Sequence, residues 1–266
     1  MGSAQCSSAG CSCDKVSDNA NVIENKVSML KAMGPAYVFD DGARYSGQWQ
    51  GNNRHGSGIH VETDGSTYEG QWVDDKAHGE GSLKHADGAS YTGQWQDSMK
   101  HGHGTYLHAD DSKYTGQWKD DAQSGKGQEQ WSDGATYTGQ YAGGRKNGHG
   151  KYLWPNGSSF EGQFVDNDIH GQGVYSWSDG CSYDGQWVRQ QMEGPGKFRY
   201  PDGRVYEGQY MMSQKHGQGL LTWPNGRKYD GQWNQGEFHG TGTLTDADGK
   251  QTSGVWNMGR VLEEGS

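Results

Sequence analysis

From residue 45 to the end of the chain, apolar and polar positions alternate in short runs, and the same run returns every 23 residues. An aromatic residue opens each run: Tyr45, Tyr68, Tyr91, Tyr114, Tyr137, Phe160, Tyr183, Tyr206 and Tyr229, with Thr252 opening a tenth, truncated unit. Glycine stands two residues on in all ten, from Gly47 to Gly254, and an aromatic four residues on, from Trp49 to Trp256. This period of two puts both rings and the glycine between them on one face of a strand. Each of the nine full units then carries a Gly-x-Gly pair, from Gly56 and Gly58 to Gly240 and Gly242, which predicts the start of a second strand facing the same way. Each closes on Asp-Gly or Asn-Gly, except at Asp110–Asp111.

Asp-Gly and Asn-Gly are the preferred residues of two-residue type I′ hairpins. They are therefore expected to join each unit to the next, leaving a longer loop of about four to five residues after the second aromatic. Seven residues after the opening ring stand mostly Asn, Asp, Ser or Gly, residues that tolerate a left-handed backbone. The fold class expected is all-β, a long single-layer antiparallel meander. At ~4.8 Å per strand, each unit advances ~10 Å and nine units make a ribbon on the order of 90 Å long. A unit touches only its neighbours in such an array.

Composition agrees with a thin sheet and not with a thick core. Only 30% of residues are apolar, yet there are 46 glycines and 11 tryptophans. Net charge is −10, and residues 1–35 sum to zero, so the acidity lies in the repeats. An acidic body is a poor nucleic-acid binder, because that affinity comes from cations releasing counterions. No run of 18 apolar residues predicts a membrane-crossing helix. The start lacks the apolar segment of a secretory signal, so a cytoplasmic chain with reduced thiols is expected.

Tyr-x-Gly-x-Trp, Gly-x-Gly and Asp-Gly at a 23-residue period resemble the MORN repeat (membrane occupation and recognition nexus) over residues 37–259. The resemblance implies an elongated β-meander with one aromatic face, no catalysis and no cofactor. It also implies a scaffold that binds a helical or extended segment of a partner protein. Alternatives it leaves open are a phosphoinositide-binding or membrane-lipid module, an accessory subunit of a lipid kinase or methyltransferase, and an axonemal or cytoskeletal component like those of radial spokes. A homodimer through the terminal repeats is also compatible. One departure is visible. The family usually has glycine seven residues after the tyrosine, whereas here only Gly144, Gly236 and Gly259 follow that rule.

What differs between repeats is where function is expected. Seventeen residues after the opening ring stand Trp131, Trp154, Trp177, Tyr200 and Trp223, where earlier repeats have Glu62, His85 and His108. Fifteen after it stand Tyr152, Tyr175 and Phe198, among others. These rings are the candidate partner-binding residues, because a contiguous aromatic patch on a surface usually marks a docking site. The competing reading is that they only cover the sheet's own glycines. Histidine precedes Gly-x-Gly in six repeats, from His55 to His239. Successive copies ~10 Å apart are too distant to share a zinc ion at ~2 Å, so these histidines are read as structural. The glutamine after the glycine, Gln48 to Gln232, is read as a solvated surface choice. No nucleophile, phosphate-loop or paired-carboxylate motif stands out.

The N-terminal tail, 1–20, begins with Gly2 and holds Cys6, Cys11 and Cys13. Gly2 resembles an N-myristoylation site and the cysteines resemble palmitoylation sites, although Cys6 replaces the usual Ser or Thr. A single acyl chain holds a membrane weakly, so the cysteines would supply the second signal. This implies a lipoprotein on the cytosolic face of a membrane. The segment 21–35 predicts a short helix over residues 22–33, capped by Asn21 with Glu24 three residues on and stopped by Gly34-Pro35. Its apolar side, Ile23, Val27 and Leu30, is expected to cover the first sheet edge near Tyr37 and Phe39. The repeat array is expected over 36–259 and a fraying tail over 260–266.

Overall fold

A computed structural model describes residues 35–264. The acylation candidates Gly2, Cys6, Cys11 and Cys13, the helix expected over 22–33 and the tail 1–20 lie outside the described residues. Among the described residues the chain forms 21 strands in one open sheet. Every strand pairs antiparallel with the one before and the one after, from Tyr37–Val38 against Arg44–Gln50 to Gln251–Asn257 against Arg260–Glu264. The single-layer meander expected from the 23-residue period is therefore present. Each repeat supplies a seven-residue strand such as Thr67–Val73 and a nine-residue strand such as Lys76–Lys84.

The register is set by glycine. Gly70 lies opposite Gly81, and Gly81 opposite Gly93 of the next repeat. The glycines thus form an unbroken column across the sheet, and the opening ring of each repeat lies on it. A Cβ on Gly162 would stand 2.5 Å from the Gly173 Cα, and one on Gly173 would stand 2.5 Å from Phe160 Cε2. The rings at this position are fully buried in most repeats, including Tyr91, Tyr137, Phe160 and Tyr183. Each tyrosine hydroxyl donates to the carbonyl three residues on, as Tyr68 does to Gln71 at 3.1 Å. The tryptophans interleave with them. Tyr68 packs edge-to-face on Trp72 at 4.9 Å and on Trp95 of the next repeat at 5.2 Å. The indole N–H of Trp187 donates to the Gly173 carbonyl at 3.1 Å. Each buried ring contributes about 2 kcal/mol of apolar burial, and each edge-to-face pair about 1 kcal/mol more.

The turns are exchanged relative to expectation. The two-residue turn follows the aromatic strand, and Asp-Gly sits in the longer connection. Asp74 and Asp75, at φ 47° and 68°, both lie in the left-handed region that a type I′ turn needs. Asp64–Gly65 occupies residues 62–66, where the Asp64 carboxylate accepts the Ser66 N–H at 2.7 Å and Gly65 takes φ 91°. The glycine register decides this outcome. Stacking Gly70 on Gly81 leaves two residues between the strands at one edge and five at the other.

The first glycine of each Gly-x-Gly pair does not share the ring face. It forms a bulge, as at Gly79 with φ 63°, and the ladder shifts between Gly70 and Gln71. The repeated glutamine is not a solvated bystander. Gln71 Oε1 accepts the N–H of Glu80 inside the bulge at 3.0 Å, and Gln163 does the same for Gln172 at 3.2 Å. Where Pro195 stands at this place it has no N–H to offer.

The departure from glycine seven residues after the ring also has a structural role. Asp75, Ser98, Asp121, Asn167 and Ser213 each accept a backbone N–H of the preceding repeat, at 2.8 to 3.1 Å. The side chain thus clasps one turn to the next. Within the expected fraying tail, residues 260–264 are instead a strand. Met258 and Gly259 form one more left-handed turn, and Arg260–Glu264 folds back onto Gln251–Asn257.

Candidate functional site

The buried columns of opening rings, and of tryptophans or their Tyr and Phe substitutes, run from Tyr45 and Trp72 to Tyr229 and Trp256. Beyond them, along the edge that carries the five-residue turns, the strands end in half-buried positions that differ between repeats. Here Trp131, Tyr152, Trp154, Tyr175, Trp177, Phe198 and Tyr200 form one continuous row. Successive ring centroids are 4.5 to 5.3 Å apart. Seven of the eight rings singled out in the sequence are thereby brought together. Trp223 stands apart, because Leu221, buried, takes the ring position next to it. The Arg227 guanidinium covers Trp223 at 4.9 Å.

The row is asymmetric. At its first end Glu129 replaces the ring fifteen residues into repeat 4. Its carboxylate accepts the Tyr141 hydroxyl at 3.0 Å and lies 3.8 Å from Lys146 Nζ, with both charged side chains less than a fifth exposed. Lys146 also lies over Trp131 at 4.7 Å and Tyr152 at 5.7 Å. Burial pulls the Lys146 ammonium below its ordinary pKa, opposed by Glu129. Burial first, and Glu129 second, push the Tyr141 phenol up. Burial likewise raises Tyr152 and Tyr175 within the row. At the other end Arg204 lies over Tyr200 at 4.6 Å and Lys215 over Tyr200 at 5.5 Å and Trp233 at 4.9 Å.

Cations therefore gather on the ring face of an acidic protein. Much of the acid lies in the turns, at Asp74, Asp75, Asp97, Asp120, Asp121 and Asp166. The charges around the row escaped the sequence reading. Their signal was the column nine residues into each repeat, which holds Arg54, Lys100, Lys146 and Lys215, and the break of the ring column at Glu129. The six repeated histidines do not converge. His55 and His101 lean toward Asp74 and Asp120 at 3.8 and 3.6 Å. Among the described residues no three potential metal ligands come together.

The profile of the MORN repeat matches nine consecutive stretches, 45–67, 68–90, 91–113, 114–136, 137–159, 160–182, 183–203, 206–226 and 229–251. A comparison with curated proteins gives no match. Among solved structures, the chain is similar to the TCP10 domain of Danio rerio CPAP in complex with a peptide of Danio rerio STIL. The identity is 11%, the TM-score 0.46, and the likeness covers 87% of this chain and 98% of that one. It is also similar to the SAS-4 (dCPAP) TCP domain of Drosophila melanogaster in complex with a proline-rich motif of Ana2 (dSTIL). There the identity is 13%, the TM-score 0.37, and the coverage 67% and 90%. Likeness this distant carries no functional argument.

Proposed function

The chain belongs to the MORN-repeat family, and we propose that it is a scaffold holding a segment of a partner protein along the ring row of repeats 4–7. The observation that carries this reading is the row's redundancy to the sheet. The glycine column is already covered by the opening rings, and Tyr45, Tyr68 and Tyr91 are buried in repeats 1–3, which have no Trp or Tyr seventeen residues on. Repeats 1–3 keep the same register with Glu62, His85 and His108 in place of the outer rings. Large rings left half-exposed and contiguous are surface available for a partner.

The spacing suits a helix. Repeats advance ~10 Å, and residues i and i+7 of an α-helix are about 10.5 Å apart on nearly the same face. A row of about 30 Å accommodates roughly 20 helical residues. Affinity capture from eukaryotic cells with the wild type and a Trp154→Ala/Trp177→Ala variant tests this. The expected result is loss of specific partners at an unchanged sheet signal in circular dichroism. Retention of every captured protein by the folded variant would remove the row from the function.

The membrane part of the reading rests on the N-terminal residues alone. Acylation of Gly2, with Cys6, Cys11 or Cys13 as the second signal, would hold the scaffold on a cytosolic membrane face. Intact mass and fractionation beside a Gly2→Ala variant decide it. No myristoyl mass on the wild type, with both proteins soluble, rules out the anchor.

A further inference from the structure

Repeats 5 and 8 present the same pair of side chains in the same register, Tyr141 opposite Lys146 and Tyr210 opposite Lys215. In repeat 5 a carboxylate of the preceding repeat completes the pair: Glu129 accepts the Tyr141 hydroxyl and neutralises Lys146. In repeat 8 the corresponding place of the preceding repeat holds Phe198. The Tyr210 hydroxyl is buried with no hydrogen-bond partner among the described residues. None of the ion pairs among the described residues involves Lys215, which is half-buried over Tyr200, Tyr206 and Trp233. The clasp that supplies an acid to Lys100, Asp121 of the next turn, is Gly236 at the matching place beside Lys215.

We propose that Lys215 receives an aspartate or glutamate of the partner segment lying on the ring row, so that the partner supplies in trans the carboxylate that Glu129 supplies in cis. The proposal rests on the ring-row reading and adds a partner chemistry and a direction. Tyr200 is both the last ring of the row and a neighbour of Lys215, so the acidic residue belongs at one end of an otherwise apolar contact face. The apolar side chains then run from Tyr200 toward Trp131, where Lys146 is already neutralised and attracts no second acid. The internal triad of repeat 5 indicates a carboxylate as the partner group, because one carboxylate there satisfies both the phenol and the ammonium. Tyr210 is the second donor, reached when the Tyr200 ring turns aside.

A display library of random 20-residue peptides, selected on the full chain, tests this. The expected pool carries Asp or Glu at one end of an apolar pattern. Its members lose about tenfold in affinity for Lys215→Gln, the size of one charge-assisted contact, and more for Lys215→Glu. Tyr210→Phe costs them less. Melting curves of each variant confirm that the sheet is intact. A pool without acidic enrichment, or with equal affinity for Lys215→Gln, overturns the assignment of Lys215. The ring row still stands in that case if Trp154→Ala/Trp177→Ala abolishes binding. Peptides that bind this ring variant as well as the wild type overturn the row, and the Lys215 proposal with it.

Discussion

Repeats 1–3 and repeats 4–7 are built alike. They share the glycine register, the two kinds of turn and the buried alternation of opening ring and tryptophan or its substitute. They part at the outer positions, most sharply at one column. Seventeen residues into the repeat, the first three have Glu62, His85 and His108, and the next four have Trp131, Trp154, Trp177 and Tyr200. The sheet tolerates either choice, because this column lies outside the zone where rings must cover glycine. The comparison separates two uses of aromatic side chains in one molecule. The inner rings hold strands together, and the outer column varies between repeats without altering the register.

The largest effect expected is on the inner zone, equally in both regions. Gly81→Val and Gly173→Val push a side chain into the ring above, Tyr68 and Phe160 respectively. Each should destabilise by about 3 kcal/mol or more, read as a lowered urea midpoint. A tolerated Gly173→Val would show that the ring is not held on the glycine. Next come paired tryptophans of the two zones. Trp187→Ala removes a buried ring and its bond to Gly173 and should cost about 3–4 kcal/mol, whereas Trp177→Ala should cost about 1 kcal/mol. Equal costs would erase the distinction between the zones.

A third test uses alkaline pH. Burial pushes the phenols of Tyr45, Tyr137, Tyr183 and Tyr229 up to about 12. The folded state disfavours tyrosinate, so its contribution is complete below the unfolded pKa of about 10 and is lost as pH rises toward 12. Both regions should unfold across that window, with tyrosinate absorbance and loss of the sheet signal coinciding. Tyrosinate appearing at pH 10 with the sheet intact would contradict the burial. The smallest effect belongs to the turns. Asn167→Gly removes a clasp to Lys146 and should cost about 1 kcal/mol. Gly144→Asn, at φ 78° with open space around its Cβ, should add a clasp to Gln123 and gain up to about 1 kcal/mol. Opposite shifts in midpoint are the expected outcome.

Much of this was legible because ten copies of one pattern vote on each position. The face of Tyr45, Gly47 and Trp49, the antiparallel meander and the row from Trp131 to Tyr200 all follow from residue spacing. The turn assignment did not. Local propensity ranks Asp64–Gly65 above Asp74–Asp75 for a tight hairpin, and the register between strands overrides that ranking. Gln71 read as a surface residue because its partner, the N–H of Glu80, exists only after the ladder slips by a bulge. The carboxylate between Tyr141 and Lys146 was equally hidden, since Glu129 lies 12 and 17 residues away from them in the chain.

The amino-acid sequence by itself determined the unit, its period and the side of each ring, since these depend on neighbours within a strand. Tertiary structure decided the register between strands, because glycine stacks on glycine only when the ring can close over both. From that register came the turn types, the glutamine in the bulge, the clasps between repeats and a Lys215 that has no ion pair among the described residues. Each of these depends on which residue stands opposite another, and spacing along one strand carries no information about the residue across from it.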